Sequence, residues 1–258
     1  MSFDHVSLEQ RGEVAIVRLE RPPANAIDLD LATQFSAAFD RAVSGRPGAV
    51  VLTGTGRFFS GGLDLRAVPT YSPAQQQALL RTINRMIGNL YACPAPVVAA
   101  VNGHAIAGGL VLVLTTDYRV GPDSEAWFGL TEARVGIPFP AGPMAVVEAE
   151  LAPPDLRYVT LHARNFGPAE ARSRGVLDEL QPPADVLRRA LEVAGDLASM
   201  PADGYGRIKR QVRASALERI EQLVADDADP MLGGWLDPGS AEAAAAILRS
   251  PPDARKDG

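Results

Sequence analysis

Apolar residues recur along the first 130 positions at two spacings that alternate with each other. A spacing of three or four residues, typical of an amphipathic helix, occurs over residues 31–43 and 79–90. Between and around these segments lie short continuous apolar runs, which are typical of buried strands. The predicted strands cover residues 14–19, 49–53, 97–101, 118–120 and 127–129. Because strand, loop and helix follow one another repeatedly, we predict an α/β fold with largely parallel strand pairing.

The pattern changes near Pro153, beyond which helical spacing dominates the sequence. The predicted helices cover residues 155–163, 169–174, 184–199, 203–225 and 241–249. This change divides the chain into a predicted core domain, residues 1–195, and a C-terminal helical region, residues 196–258. Several basic residues lie at helical spacing in the second region, and we interpret them as a solvent-exposed helix face. They are Arg207, Lys209, Arg210 and Arg213.

The composition is that of an ordinary globular protein with an excess of acidic residues. The chain has 258 residues, of which 47% are apolar, so it can bury a full core. Its net charge is -6 and it has no block of lysine and arginine, which argues against nucleic acid and anionic membranes as partners. The longest apolar stretch, residues 110–114, is too short to span a bilayer.

Cysteine usage and the N-terminal sequence indicate the cellular compartment. The single cysteine, Cys93, excludes an internal disulfide and fits a reducing environment, and we interpret it as a packed thiol. Residues 1–11 are polar and lack the apolar segment of a signal peptide. We therefore expect a cytoplasmic protein.

Two glycine-rich loops, residues 54–64 and 102–109, each follow a predicted buried strand. Glycine allows the backbone to approach a ligand closely, and the same residues also suit tight turns and close packing. The second loop leads into an apolar helix that begins at Gly108, and unpaired N–H groups at a helix start stabilise developing negative charge. Phosphate-binding motifs do not match, because the Lys-Ser/Thr of a P-loop is missing and Phe59 replaces the third glycine of a dinucleotide-binding fingerprint.

Five segments match the motifs of a known family in the same order. Along the chain they are PANA at residues 23–26, FSGGLD at 59–64, PVVAAVNGHAIAGG at 96–109, FGLTEARVGI at 128–137, and EA with GVLD at 170–178. In order and separation they resemble the enoyl-CoA hydratase/isomerase (crotonase) family, and the match runs from about residue 10 to residue 180.

The resemblance implies a fold, an assembly and a binding site. The family fold is the ClpP/crotonase-like spiral of ββα units, followed by C-terminal helices that build a homotrimer or a dimer of trimers. The implied ligand is an acyl-CoA thioester, with coenzyme A as part of the substrate and no separate cofactor. By position, the backbone N–H groups of Leu63 and Gly108 would form an oxyanion hole for the thioester carbonyl. The residues that would border the bound thioester are Ala24, Gly61, Gly62, Leu63, Asp64 and Gly109.

The family's hydratases use two glutamates to add water to a 2-enoyl double bond, and this chain matches only one of them. Glu132 occupies the second position, whereas Val111 occupies the first, three residues past the oxyanion glycine. A single carboxylate suits a 1,3-proton shift that moves a double bond from position 3 to position 2. Residues 59–65, 107–119 and 129–137 also resemble the mitochondrial-type 3,2-enoyl-CoA isomerases more closely than the hydratases. We therefore expect a Δ3-Δ2-enoyl-CoA isomerase with Glu132 as acid and base.

Other reactions of the same oxyanion hole stay open at this point: hydration, decarboxylation, thioester hydrolysis, or acyl-CoA binding without turnover. The apolar neighbours of Glu132 are expected to raise its pKa, which suits a proton shuttle. We interpret His104 as structural and place Glu148 and Glu150 on an exposed helix face. Because no cluster of His, Cys or carboxylates has metal-ligand spacing, we expect no metal.

Overall fold

The computed structural model of the chain describes residues 3–236 and residue 239. Within these residues nine strands form two sheets, and ten α-helices pack around them. The strands are β1 (Val6–Arg11), β2 (Val14–Leu19), β3 (Ala49–Gly54), β4 (Phe58–Ser60), β5 (Val97–Ala100), β6 (His104–Ile106), β7 (Tyr118–Pro122), β8 (Phe128–Gly129) and β9 (Glu179–Gln181). The helices are α1 (Leu29–Ser44), α2 (Pro73–Tyr91), α3 (Gly108–Leu114), α4 (Glu132–Val135), α5 (Ala141–Glu150), α6 (Pro153–Arg157), α7 (Pro168–Ser173), α8 (Val186–Ala198), α9 (Ala202–Val212) and α10 (Ala214–Ala225). Short 3₁₀ turns cover Val68–Thr70 and Pro230–Gly233, and a π-helical turn covers Tyr158–His162.

From β3 onward, successive strands alternate between two sheets. The larger sheet has the order β1-β2-β3-β5-β7-β9, and the smaller sheet has the order β4-β6-β8. Strands β1 and β2 pair antiparallel, and the other described pairings are parallel. From β3 onward, each unit adds one strand to each sheet before a helix, which is α2, α3 and α4 in turn. This arrangement is the predicted spiral of ββα units.

The buried strands β3 and β5 separate two hydrophobic cores. Alternate residues of a strand point to opposite faces, so Val50 and Leu52 join the main core, whereas Ala49 and Val51 join a smaller core beneath α8. Because both faces are covered, the sequence of these strands is a continuous apolar run instead of an alternation. Parallel pairing brings the carboxyl ends of β3 and β5 to one edge, and the two glycine-rich loops leave the sheet there.

Most predicted elements are present, and the differences have physical causes. The predicted helix over residues 203–225 is wrong as a single element, because the chain breaks at Arg213 into α9 and α10. Five elements have no counterpart among the predicted strands and helices: the strands β1, β4, β6 and β9 and the helix α4. Strand β1 is an edge strand of mixed polarity, and the other four span only three or four residues, too few for a clear periodicity. Helix α5 is predicted only through the placement of Glu148 and Glu150 on a helix. The predicted helix at residues 241–249 lies outside the described residues.

The predicted boundary between residues 195 and 196 falls inside α8, which continues to Ala198. The chain leaves this helix at Ser199 and enters α9 after Pro201. Strand β9 lies in the part of the chain where only helices are predicted, and it pairs with β7. Helix α8 packs on the larger sheet as part of the smaller core, and the division of the chain into two regions stays a prediction.

The predicted solvent-exposed face of basic residues is wrong for two of its four members. Lys209 and Arg213 are buried, whereas Arg207 and Arg210 face solvent. The cause is the largely buried carboxylate of Asp117, which binds Lys209 Nζ at 2.6 Å and lies 3.0 Å from a guanidinium nitrogen of Arg213. A buried carboxylate requires a counter-charge, and these two side chains supply it.

Of the two glutamates predicted on an exposed helix face, Glu148 is exposed but Glu150 is not. Glu150 forms an ion pair with Arg119 and accepts a hydrogen bond from the Tyr91 hydroxyl at 2.7 Å. It also lies 3.8 Å from the Arg213 guanidinium, which connects it to Asp117. We name these connected charges the Asp117 cluster; its members are Asp117, Arg119, Glu150, Lys209 and Arg213.

Candidate active site

The two glycine-rich loops meet because β4 and β6 lie side by side in the smaller sheet. Ser60 pairs with Ala105 in parallel register, so Gly62 and Gly108 follow at the same end of these strands. Gly62 has a φ of +77°, and a Cβ there would lie 2.9 Å from the Gly108 nitrogen. A Cβ on Gly109 would lie 2.1 Å from the carbonyl oxygen of Ser60. Glycine is therefore required at both positions for the two loops to make this contact.

The N–H of Leu63 is directed away from the neighbouring backbone. Ile27 donates its own N–H to the carbonyl of Gly62 at 2.7 Å, and its carbonyl accepts from the N–H of Asp64 at 2.8 Å. These two bonds flank Leu63 and leave its N–H on the opposite side. No residue in the described part of the chain accepts a hydrogen bond from it.

The N–H of Gly108 begins α3 and packs against the backbone of Gly62. Ala107, immediately before it, has φ of 51° and ψ of -128°, an uncommon conformation for a residue other than glycine. The Ala107 N–H donates to the carbonyl of Gly129 at 2.7 Å, which ties this turn to β8. Within residues 3–236 the Gly108 N–H has no acceptor either. The fold thus brings the two predicted oxyanion-hole donors, Leu63 and Gly108, to one place.

Glu132 begins α4 and is almost completely buried, with 9% of its surface exposed. Its Oε2 atom has no hydrogen-bond partner among the described residues. Burial raises the pKa of the Glu132 carboxyl group to about 8, because the charged form loses its solvation there. A carboxyl group with this proton affinity can both accept and donate a proton near neutral pH.

Glu132 lines a cavity of about 380 Å³ whose other walls are mostly apolar. These walls are formed by Ala133, Gly136, Ile137, Pro138, Phe139, Met144, Thr160 and Leu161. Among the lining residues that the structure describes, Glu132 is the one with a titratable side chain. A cavity of this size and character fits a small apolar group or an aliphatic chain.

The cavity and the two N–H groups are connected through β8. Gly129 ends this strand and binds Ala107 through its carbonyl, and Glu132 follows three residues later. Leu63 and Gly108 do not line the cavity themselves, so Glu132 is the predicted catalytic residue that faces it.

Val111 occupies the position at which the resemblance places the first glutamate of the hydratases. It lies in the middle of α3, is 2% exposed and packs in the main core. This position therefore supplies an apolar surface and no carboxylate.

The segment around Ala24 is fixed by a half-buried arginine. Arg21 donates to the carboxylates of Asp28 and Asp64, each at 2.8 Å, and so joins the start of α1 to the first glycine-rich loop. The carbonyl of Ala24 accepts from the N–H of Gly61 at 2.8 Å. These contacts bring together three of the residues predicted to border the thioester. Because Arg21 occupies the Asp64 carboxylate, Asp64 serves to orient the loop.

Two residues that hold this loop are not among the predicted site residues. One is Arg21, and the other is Asn25, which is completely buried. The side-chain nitrogen of Asn25 donates to the carbonyl of Phe58 at 2.9 Å. The main-chain carbonyl of Asn25 accepts from the Ser60 hydroxyl at 2.8 Å. The PANA segment contains Asn25 and is the sequence signal for this role, whereas nothing in the sequence marks Arg21.

The carbonyl end of α3 is paired with buried cations. Arg119 donates to the Leu114 carbonyl at 2.9 Å, and Arg213 donates to the Thr116 carbonyl at 3.2 Å. Positive charge at a helix C-terminus complements the helix dipole. The Asp117 cluster therefore anchors α9 and α10 to the end of α3 that is remote from Gly108.

His104 and Cys93 have the structural environments predicted for them. His104 accepts a hydrogen bond at Nδ1 from the Trp127 N–H at 3.0 Å and packs edge-on against Phe58. Burial lowers the pKa of His104 and raises the pKa of the Cys93 thiol, which keeps both groups neutral. In the described part of the chain, no three His, Cys, Asp or Glu side chains are grouped so that they could hold a metal ion.

Comparison with known proteins defines the class. A family profile described as "Enoyl-CoA hydratase/isomerase" matches residues 9–231, so the chain belongs to this family of enzymes, as the five segments predict. Its relatives include "Enoyl-CoA delta isomerase 1, mitochondrial" of Mus musculus, which is 32% identical over 232 residues that cover 86% of this chain and 78% of the relative. "Enoyl-CoA hydratase EchA19" of Mycobacterium tuberculosis is 32% identical over 221 residues, which cover 80% of this chain and 79% of the relative.

Solved structures share the crotonase fold. Human mitochondrial delta3-delta2-enoyl-CoA isomerase aligns with a TM-score of 0.89 at 24% identity, covering 99% of this chain and 100% of its own. Enoyl-CoA hydratase EchA3 of Mycobacterium ulcerans aligns with a TM-score of 0.81 at 28% identity, covering 86% of this chain and 96% of its own. The chain is thus similar both to proteins named as isomerases and to proteins named as hydratases.

Proposed function

We propose that this enzyme is a Δ3-Δ2-enoyl-CoA isomerase in which Glu132 is the single acid and base. The observation that carries the proposal is the carboxyl group of Glu132, which is buried without a partner for Oε2 at the edge of an apolar cavity. The cavity would take the acyl chain of the thioester, and the N–H groups of Leu63 and Gly108 would bind its carbonyl oxygen. A substrate without charge or polar groups on its acyl chain suits these walls.

The reaction is a proton transfer within one molecule. The Glu132 carboxylate removes a proton from C2 of the 3-enoyl thioester. The electron pair of the broken C–H bond is delocalised onto the thioester oxygen and C4, which gives a dienolate. Two preorganised N–H donors stabilise the oxygen, and one donor of this kind contributes about 3–4 kcal/mol in other enzymes. Glu132 then returns the proton to C4, so the double bond moves to position 2 and no water is consumed. The ionised form of Glu132 starts the cycle, so we expect kcat/KM to rise with pH up to about 8.

Hydration is the second candidate, because relatives such as EchA19 carry the name hydratase. Addition of water requires a group that binds and activates it next to the double bond. The position at which the resemblance supplies that group holds Val111, whose side chain is buried and apolar. This difference favours isomerisation.

Products formed from two substrates distinguish the reactions. The purified enzyme is incubated with a 3-enoyl-CoA and, separately, with a 2-enoyl-CoA, and the products are identified by mass and absorbance. An isomer of equal mass from the 3-enoyl-CoA supports the proposal, whereas a gain of 18 mass units, the mass of one water, from the 2-enoyl-CoA supports hydration. A Glu132→Gln variant that keeps the full isomerase rate would exclude the mechanism. Glu148→Gln is the matched control, because Glu148 is exposed and pairs with Arg219 at the surface.

We also propose that the chain assembles as a homotrimer or a dimer of trimers. Large apolar side chains are exposed on α9, where Ile208 and Val212 are 62% and 80% exposed one helical turn apart. Contact with a second copy would remove this apolar surface from water. Light scattering coupled to size-exclusion chromatography tests the assembly, and a Val212→Glu variant that leaves a trimer intact would argue against this contact.

The cytoplasmic location and the lack of nucleic-acid or membrane partners stay predictions. Named relatives include a mitochondrial protein of mouse and bacterial proteins. In the part of the chain that the structure describes, each helix is too short or too polar to cross a bilayer.

A further inference from the structure

One wall of the cavity is a short segment at the start of α5. Pro138 and Phe139 line the cavity, and Met144 lines it from α5 itself. We name residues 138–142 the cavity wall. Pro140 stands directly before α5 and provides no side-chain hydrogen bond to the helix start. The cavity wall contains no polar side chain of its own, so other parts of the chain must fix its position.

Asp229, in the segment that follows α10, holds the helical end of the cavity wall. Its carboxylate is buried, and Oδ2 accepts from the Ala141 N–H at 2.9 Å and from the Asn84 amide at 2.8 Å. Asn84 Oδ1 in turn accepts from the Gly142 N–H at 2.9 Å. The first two N–H groups of α5 are thus satisfied by side chains that lie 88 and 58 residues away in the sequence. A carboxylate at this end also complements the helix dipole.

Trp235 holds the other end of the cavity wall. It is 5% exposed, and its indole Nε1–H donates to the carbonyl of Pro138 at 2.8 Å. Its ring belongs to the main core, so the donor cannot follow a moving acceptor without disturbing core packing. The peptide that joins Pro138 to Phe139 is therefore held in place by a residue that does not itself line the cavity.

We propose that Asp229 and Trp235 are positioning residues that set how much of an acyl chain the cavity accepts. The inference rests on the proposed function, which puts the acyl chain in this cavity. Neither residue lines the cavity, so both act through the cavity wall. If this wall moves, contacts with the distal methylene groups are lost, while the carboxyl group of Glu132, which belongs to α4, keeps its place.

Binding of saturated acyl-CoA thioesters of increasing chain length tests the inference without relying on turnover. Calorimetry on the full-length wild-type protein should show Kd falling about fourfold per added methylene group until the cavity is filled. In Asp229→Asn and Trp235→Phe, Kd should fall only about twofold or less per added methylene group, because a displaced cavity wall no longer contacts the end of the acyl chain. In turnover, KM for long chains should rise, whereas kcat for the shortest substrate should stay at the wild-type value.

Two controls match these substitutions. Asp227→Asn makes the same change two residues away, at an exposed ion pair with Arg81, and should bind every chain length as the wild type does. Trp127→Phe makes the same change at the second tryptophan, which is half-buried and does not line the cavity. If Asp229→Asn fails to fold, Trp235→Phe carries the test, because it keeps an aromatic ring in the core and removes only the donor.

The outcomes separate this inference from the proposed function. A wild-type protein whose Kd is independent of chain length overturns the inference, and so do variants that keep the wild-type dependence. If Kd depends on chain length in the wild type, both variants weaken this dependence, and the protein does not isomerise 3-enoyl-CoA, the inference is supported and the proposed function is contradicted.

Discussion

The two ends of α3 differ in how completely their polar groups are paired. At the first residue, the N–H of Gly108 has no acceptor within the described residues, and it follows Ala107, whose φ is 51°. At the far end, about 10 Å away for a helix of this length, the Leu114 carbonyl accepts from Arg119. Arg119 belongs to the Asp117 cluster, in which each carboxylate contacts a cation.

The difference separates groups that hold the fold together from groups available to a ligand. A buried polar group without a partner costs about 1–3 kcal/mol, so proteins keep few of them. The Asp117 cluster avoids nearly all of this cost, with Arg119 Nε as an exception. The proposed reaction uses the N–H groups of Leu63 and Gly108 and the Oε2 atom of Glu132, all of which have no partner in the described part of the chain. A further unpaired atom, Asn165 Oδ1, lies beside Gly129 and is not used by this reaction. Polar groups without hydrogen-bond partners thus distinguish the candidate site from the Asp117 cluster, where nearly every charged group is paired.

The largest expected effect is on turnover, from Glu132→Gln. The substitution keeps the shape of the side chain and removes its ability to take a proton, so kcat should fall by about 10²–10⁴-fold. Steady-state isomerase assays measure the loss, and calorimetry should show acyl-CoA binding close to that of the wild type. If Glu132→Gln weakened acyl-CoA binding as much as it lowered kcat, Glu132 would belong with the groups that hold the fold together. The distinction between those groups and the groups available to a ligand would then be wrong.

The second effect is on stability, from Asp117→Asn at the other end of α3. Lys209 would keep its buried position without a counter-charge, and Arg213 would keep only the Glu150 carboxylate at 3.8 Å, so the free energy of unfolding should fall by about 3–5 kcal/mol. Urea denaturation measures this change, and kcat of the folded enzyme should be unchanged. Asp227→Asn, at an exposed pair with Arg81, is the control and should unfold at the wild-type midpoint. If Asp117→Asn lowers kcat as strongly as Glu132→Gln does, the two ends do not have separate roles.

The third effect tests the contact between the glycine-rich loops. In Gly62→Ala, the new Cβ would lie 2.9 Å from the Gly108 nitrogen, so the two N–H donors must move apart. We expect kcat/KM to fall about 100-fold, the loss typical of one oxyanion-hole donor. Gly12→Ala is the control, because Gly12 also has a positive φ, of 59°, but has open space around it. An equal loss of activity in both variants would attribute the effect to backbone strain alone.

The smallest effect is the pH dependence of stability that Glu132 contributes. Its folded-state pKa of about 8 lies above the ordinary value of 4.5, so between these pH values the folded protein holds a proton that the unfolded chain has released. The stabilising contribution of the protonated group is complete below pH 4.5 and is lost as pH rises toward 8. Relative to Glu132→Gln, the wild type should therefore lose about 2 kcal/mol of stability between pH 5 and pH 7. Urea denaturation at both pH values measures this difference. If the free energies of unfolding of the wild type and Glu132→Gln differed by the same amount at pH 5 and at pH 7, the result would contradict the buried, unpaired state of this carboxyl group.

Among the strands, the apolar pattern predicts those that are covered on both faces and misses those that lie at an edge or are very short, and among the helices it fails where charge is buried. Strands β3 and β5 are covered on both faces, so their apolar runs are unmistakable. Strand β1 lies at the sheet edge with three exposed residues, which weakens its pattern. No glycine or proline marks the break at Arg213, and the side chain of this residue pairs with Asp117, which is far away in the sequence.

The candidate site is more predictable than its supports. Motif order singles out Leu63, Gly108 and Glu132, because the roles proposed for them depend on local backbone and on apolar neighbours that can be read from adjacent positions. The residues that hold the site are joined across long sequence separations, as Arg21 is to Asp64 and as Asp229 is to Ala141. A single sequence contains no signal for such pairs until the fold brings them together.

The cavity and the proposed oxyanion-hole donors come from different parts of the architecture. The donors sit on loops that leave strands of the parallel sheets, whereas the cavity is formed by α4, the cavity wall, Met144 of α5 and the π-helical turn Tyr158–His162, which belong to neither sheet. Mutations that enlarge or reshape the cavity therefore leave the strand registers undisturbed. If the cavity binds the acyl chain as proposed, a descendant of this enzyme could acquire a new range of acyl groups after gene duplication while the proton-transfer step stayed as it was inherited.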